Sequence, residues 1–248
     1  MQEIALGPRL VEQVYRALLE AICDGTLPPG ARLTQEALAE RFNVSRQPIG
    51  QALALLKSQG FVSAVGRRGL VVSALDPSVV RALYEVRGAL DRLAARKAAQ
   101  NARPEAQAQG EALLEKGRRA LASRSVSELI AADIAFHGFI AELSGNPLVG
   151  QTMAFLWDRL RPVMSAYLEH ADWAQETWRE HAELLRLILS GRAEEAEQTA
   201  SAHVENAVRL LEIELAKRAQ RERAEDSILL LHGRAAADEE RALRSTGS

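Results

Sequence analysis

The stretch NVSRQPIGQALALLKSQGFV, residues 43–62, decides how the N-terminal part of the chain folds. Asn43 tolerates the left-handed conformation that closes a preceding helix. Ser45 is a favourable N-cap for a new helix, and Pro48 is accepted in a first turn, where its missing N–H has no partner to lose. At about 100° per residue, Ile49, Ala52, Leu53 and Leu56 fall on one apolar stripe. Gly60 stops the helix. The opposite face carries Arg46, Gln47, Gly50 and Ala54, with Gln51 at its edge. Side chains at the start of such a helix can reach base edges in a major groove, Arg toward guanine and Gln toward adenine. Gly50, in the middle of that face, has no side chain to offer.

Upstream, PRLVEQVYRALLEAICDG has the periodicity of an amphipathic helix that Gly25 ends. TLPPGARL is a Pro/Gly turn, and Thr34 caps a short second helix, TQEALAERF. Downstream, FVSAV and LVVSAL are strand-like runs around the turn GRRG. Three helices and a two-stranded hairpin make a winged helix-turn-helix over residues 1–75. Arg67 and Arg68 at the hairpin tip are placed to enter a minor groove or hold phosphates. The candidate DNA-contacting residues are thus Thr34, Ser45, Arg46, Gln47, Gln51, Arg67 and Arg68.

Composition agrees with this division. With 47% hydrophobic and 26% charged residues the chain reads as globular, and with only 4% aromatics and abundant Ala, Leu, Glu and Arg it favours helices. No apolar run reaches the roughly 18 residues of a membrane span, and the N-terminus does not have the pattern of a secretory signal. The single cysteine, Cys23, has no internal partner for a disulfide, so the expected setting is the cytoplasm. Residues 1–75 hold 8 basic and 6 acidic side chains, and the remainder 23 and 27. A mildly basic front on an acidic body suits a DNA-binding head.

From Asp76 onward the periodicity is helical throughout, so the fold class is mainly α: a winged head and an all-α bundle of about six helices. They are expected near 77–101, 104–123, 126–144, 147–169, 173–190 and 192–222. Pro162 should bend the fourth of these. Residues 76–222 form the body. Residues 223–248, rich in Ala, Arg and Glu, are expected to be a mobile tail.

The head resembles the GntR family of bacterial transcription regulators. The resemblance rests on the Pro-Gly turn, the second helix, the segment SRQPIGQALALL and the glycine-bearing wing. It implies that Arg46, nearby first-turn residues and the wing hold operator DNA. Two positions depart from the family's usual pattern: Gln47 stands where Thr is common, and Gly50 where a DNA-contacting Arg is common. Gly50 is therefore either a tolerated change or the mark of altered readout, with Gln47 and Gln51 taking over contacts.

The body contains a second constellation. Asp133 and His137, four residues apart, project together from one helix. His181 shares an apolar stripe with Trp178, Leu185 and Ile188, and His203 one with Ala196, Ala200, Ala207 and Leu210. His181 lies ten residues before Gly191 and His203 twelve after it. If the chain reverses there, both stand at a similar height, roughly 15–18 Å from the bend. An inward Asp is costly unless paired or metal-bound. Three imidazoles and one carboxylate suit Zn, and also Ni, Fe or Mn.

DIAFHGFIAELSGNP, REHAELLRLILSGRAEEAEQTASAHVENA and LYEVRGALDRLAARKAA resemble the FCD ligand-binding domain of the FadR-type subfamily of these regulators. That resemblance implies a divalent cation on Asp133, His137, His181 and His203, at the floor of an effector cavity. It further implies a small organic acid as effector, with Arg87 and Asn146 as candidate effector-binding residues. Arg87 could instead pair with Glu85 or Asp91, and Asn146 could simply cap a helix. The resulting expectation is a non-enzymatic DNA-binding regulator, a homodimer on a palindromic operator, acting as a repressor that an acid releases. Two alternatives stay open: a sensor for which the cation itself is the signal, and a metal hydrolase with a DNA-binding appendage.

Overall fold

A computed structural model of the chain describes residues 8–66, 69–74, 76–168 and 170–245, with their side chains apart from those of residues 8, 9, 166, 218, 219 and 222–245. The head begins with helix α1 (Pro8–Cys23), followed by strand β1 (Arg32–Leu33), helix α2 (Gln35–Phe42) and helix α3 (Arg46–Ser58). Strands β2 (Val62–Val65) and β3 (Gly69–Val72) complete a small antiparallel sheet of order β1-β3-β2. The expected stripe of α3 is the centre of the head: Ile49, Ala52, Leu53 and Leu56 are fully buried against Val14, Leu18 and Leu19 of α1 and Leu38 of α2. Asn43 takes φ +52° and closes α2, as its sequence position suggests.

Two details differ from what the sequence suggests. β1 pairs with β3, Arg32 opposite Val71 and Leu33 opposite Leu70, within what reads as a plain turn. Two residues are too few to show an alternating pattern. Ser45 occupies the N-cap position of α3 with extended backbone, but its hydroxyl makes no capping hydrogen bond. Arg67 and Arg68 at the wing tip lie outside the described residues.

Among the described residues the body is built from α4 (Pro77–Gln100), α5 (Ala106–Ser123), α6 (Val126–Leu143), α7 (Pro147–Leu168), α8 (Ala171–Leu189) and α9 (Ala193–Ser245). Helix α4 lies against α9, α6 and α7, and its Ala94, Ala95, Ala98 and Ala99 are buried, small side chains that let neighbouring helices come close. Two glycines of α5 do the same on another side. A Cβ at Gly110 would stand 2.6 Å from Leu185, and one at Gly117 would stand 2.3 Å from Trp178, so α5 crosses α8 too closely for an added methyl group unless those side chains shift. Helix α6, with Leu129, Phe136, Phe139 and Ile140 buried, runs through the middle of this core.

The last helix does not end near residue 222. Its backbone continues to Ser245, and an Ala-, Leu-, Arg- and Glu-rich segment without proline has the propensity to do so. Head and body meet where α1 lies on α7. No helix among the described residues is long and apolar enough to cross a membrane.

Candidate functional site

Asp133 and His137 on α6, His181 on α8 and His203 on α9 come together in the middle of the body, all four buried. Each offers one ligand atom, and these atoms lie within 4.8 Å of one another. The turn at Gly191, with φ +70°, folds α9 back on α8 and brings His181 and His203 to the same level, with ring centroids 4.8 Å apart.

The electrostatics of this cluster are unusual for a protein core. Both carboxylate oxygens of Asp133, both ring nitrogens of His181 and Nε2 of His203 are buried without a hydrogen-bond partner. His181 Nε2 lies 3.4 Å from Asp133 Oδ1 without forming a hydrogen bond. Buried polar atoms are ordinarily satisfied, and each left unpaired costs about 1–3 kcal/mol. Burial, followed by the neighbouring His203, His137 and Arg87, holds the His181 imidazole well below its ordinary pKa and so in the neutral form that a metal requires. Its ring is stacked on Phe136 at 4.4 Å and edge-on to Trp178 at 4.8 Å, which fixes its plane.

Each of the other two imidazoles is oriented by a partner. His203 Nδ1 lies 2.7 Å from Glu180 Oε2, and the other oxygen of Glu180 accepts from Asn206 Nδ2 at 2.7 Å. The proton therefore sits on Nδ1, and Nε2 faces the cluster with its lone pair free. His137 Nε2 accepts from Arg87 Nη2 at 2.9 Å, because a guanidinium can only donate. This places its proton on Nδ1, 3.5 Å from Asp91 Oδ1.

Arg87 is completely buried. Its Nε reaches Asp91 at 3.2 Å and its Nη2 lies 3.7 Å from Asp133, while Nη1 has no partner. Its guanidinium lies over the Trp157 ring, 4.9 Å from the centroid, and Trp157 in turn stands 5.7 Å from His137. Asp91 and Asp133 hold Arg87 protonated despite its burial, and His137 and Arg87 hold the Asp91 carboxyl far below its usual range against the desolvation that opposes them. Of the two partners open to Arg87 from the sequence, Asp91 is the one engaged.

These donors fit a divalent cation. Imidazole nitrogens and a carboxylate are a borderline-soft set, and a cation among them would satisfy several orphaned atoms at once, with His137 joining only when Arg87 Nη2 releases its Nε2 lone pair. Asn146 is accounted for differently: its Oδ1 accepts from Leu148 N at 3.1 Å and caps the start of α7. Glu180, Asn206 and Trp157 are neighbours of the cluster that sequence reasoning misses, whereas Asp91 is legible as a partner of Arg87. Asp91 carries a signal, four residues after Arg87; Glu180 lies beside His181 in sequence yet serves His203 across the helix pair.

On the head, Thr34, Ser45, Arg46, Gln47 and Gln51 are all exposed at the starts of α2 and α3. Thr34 Oγ1 accepts from Ala37 N at 3.3 Å, so its hydroxyl serves the cap. Arg46 is paired with Glu36, its Nη2 2.5 Å from Oε1.

Comparison with known proteins places the two parts separately. Residues 10–72 match the family described as bacterial regulatory proteins, gntR family, and residues 82–206 match the FCD domain. The HTH-type transcriptional regulator McbR of Escherichia coli strain K12 is 28% identical over 73% of this chain and 81% of its own length. The HTH-type transcriptional repressor RspR of the same strain is 24% identical over 78% of this chain and 85% of its own. In three dimensions the E. coli McbR/YncC structure superposes with a TM-score of 0.70 at 23% identity, covering 84% of this chain and all of that one. A GntR regulator from Rhodococcus sp. RHA1 gives 0.67 at 22% identity, with 81% and 96% covered.

Proposed function

From the premise that the chain belongs to the GntR family and is a DNA-binding transcription regulator with an FCD domain of the FadR-like subfamily, we propose that it is a repressor released by a small organic acid bound beside a divalent cation. One observation carries this reading: four buried ligand atoms, gathered within 4.8 Å, several of which lack any hydrogen-bond partner. FCD domains can bind metal, and Asp133, His137, His181 and His203 would hold the ion here. Zinc suits the donor set best, with Ni, Mn or Fe as competitors. When bound, the ion supplies a positive centre able to accept a carboxylate oxygen.

Arg87 favours an acid as the signal over the cation alone. Its Nη1 is buried and unpartnered beside the cluster, a donor suited to a second carboxylate oxygen. The resemblance of the chain to RspR, whose name is that of a repressor, supports the sign of regulation. Regulators of this family typically dimerise, and a homodimer would set two copies of α3 on a palindromic operator.

Helix α7 is the natural path from the body to the head. Trp157 touches the cluster's neighbours, while Arg159, Pro162 and Val163 further along line a crevice with Gln59, Gly60 and Phe61 of the head. An acid can shift the heads only if it binds their two arrangements with different affinity.

The test is to measure bound metal in the purified protein, then operator release by organic acids and by a chelator. Release by an acid, lost in Asp133→Ala/His203→Ala together with the metal, is the expected result. Unchanged metal content in that double variant would overturn the ligand assignment. Release that follows metal loading alone would make the cation the signal.

A further inference from the structure

We propose that Gln35, on helix α2, supplies the base-reading side chain that Gly50 lacks on the recognition helix, and that it helps set the sequence preference of each half-site. The observation is spatial. A Cβ built on Gly50 would meet the Gln35 side chain at three atoms, Nε2 at 3.3 Å, Cδ at 3.5 Å and Oε1 at 3.6 Å. The whole carboxamide of Gln35 therefore lies over the gap in the outward face of α3.

Its base is firmly placed. Gln35 is the first residue of α2, directly after the Thr34 cap, and β1 ties the preceding backbone to the sheet. The side chain is exposed, so it contributes nothing to the core and is available to a ligand. Gly50 is what admits it, because 3.3 Å is already tight for a methyl group, and a longer side chain would push the carboxamide away.

The chemistry of the face follows. Arg46, its long cation, is held by Glu36 in this structure. Gln35, Gln47 and Gln51 remain as exposed carboxamides around Gly50. A carboxamide presents a donor and an acceptor side by side, the pattern that matches N6 and N7 of adenine in the major groove. The face is thus built to read A·T pairs through amides. Two helices contribute to it, and none of this depends on the metal centre.

Selection of binding sites by the full-length protein from a randomised duplex library tests the proposal. Gln35→Ala should lose discrimination at one or two A·T positions per half-site, by about tenfold or more at each, with an unchanged thermal unfolding curve. Gly50→Ala, which keeps Gln35 but displaces it, should alter the same positions. If wild type and Gln35→Ala select the same ranked site, the proposal is overturned. It is overturned equally if Gln35→Ala weakens binding to all sequences alike, the signature of a phosphate contact.

Discussion

Glu180 Oε2 stands 2.7 Å from His203 Nδ1, and this single contact determines which nitrogen of His203 faces the buried cluster. A histidine ligand usually donates its remote N–H to a carboxylate, which fixes its tautomer and raises its basicity, and loss of such a partner costs about 10–100-fold in metal affinity. Glu180→Ala should therefore weaken zinc binding by that factor, measured by competition with a chromophoric chelator. Glu180→Gln keeps an acceptor for Nδ1–H and should lose less. Equal affinity in all three proteins would remove Glu180 from the site.

Arg87 and Asp91 form a buried pair, and loss of both partners should cost less than loss of one. Removing one partner of a buried ion pair typically costs about 3–5 kcal/mol, because the other charge is left without compensation. Arg87→Met should therefore lower the urea midpoint strongly, since Asp91 is only 6% exposed. Arg87→Met with Asp91→Leu should recover much of that loss. A double variant no more stable than Arg87→Met would show that Arg87 acts through Asp133 and His137 and not through Asp91.

Cys23 lies in the crevice between α1 and the α6–α7 side of the body, near Ile130 and Arg161. Burial, opposed by Arg161 and reinforced by Asp158, Asp24 and Glu20, pushes its thiol up from 9.0 to about 12. The native state thus favours the protonated form: that preference is fully present below the unfolded pKa and is lost as pH rises toward 12. The same shift leaves about a thousand-fold less thiolate at about pH 8, and thiolate is the reactive species. Iodoacetamide at that pH should modify the native protein slowly and the urea-unfolded protein quickly. Equal rates would mean that head and body separate readily in solution.

Much of this arrangement is legible in the amino-acid sequence. The stripe Ile49, Ala52, Leu53 and Leu56 forms the centre of the head because a single apolar face on a short helix has only one way to be buried. The gathering of Asp133, His137, His181 and His203 is legible for a similar reason: polar side chains on the apolar stripes of packed helices are drawn into one core. The partners of those side chains are not legible. Glu180 serves a residue on the next helix, and sequence spacing carries no record of such a pairing. Gln35 likewise reaches Gly50 across two helices, a contact that neither helix's periodicity encodes. β1 is hidden because a two-residue strand has no period. The continuation of α9 is hidden because an Ala-, Arg- and Glu-rich terminal segment reads equally as a solvated tail and as a helix of high propensity.

Gly117 offers a test of how packing supports the proposed metal ligands. A Cβ at this position would lie 2.3–2.4 Å from three atoms of the Trp178 indole, which is rigid and itself buried. Overpacking of this kind costs about 1–3 kcal/mol. Gly138, on the exposed side of α6, has nothing within 4 Å of the same added atom, and there alanine should stabilise the helix by about 0.5–1 kcal/mol. The two substitutions are chemically identical and should have opposite signs in thermal unfolding. Gly117→Ala must also push Trp178, whose ring stands 4.8 Å from that of His181, so it should weaken metal binding as well. Gly138→Ala follows directly after His137 in sequence yet should leave metal affinity unchanged, since its methyl group points away from the cluster. Loss of metal in Gly138→Ala but not in Gly117→Ala would show that the backbone of α6, rather than the contact of α5 with α8, holds the ligands in place.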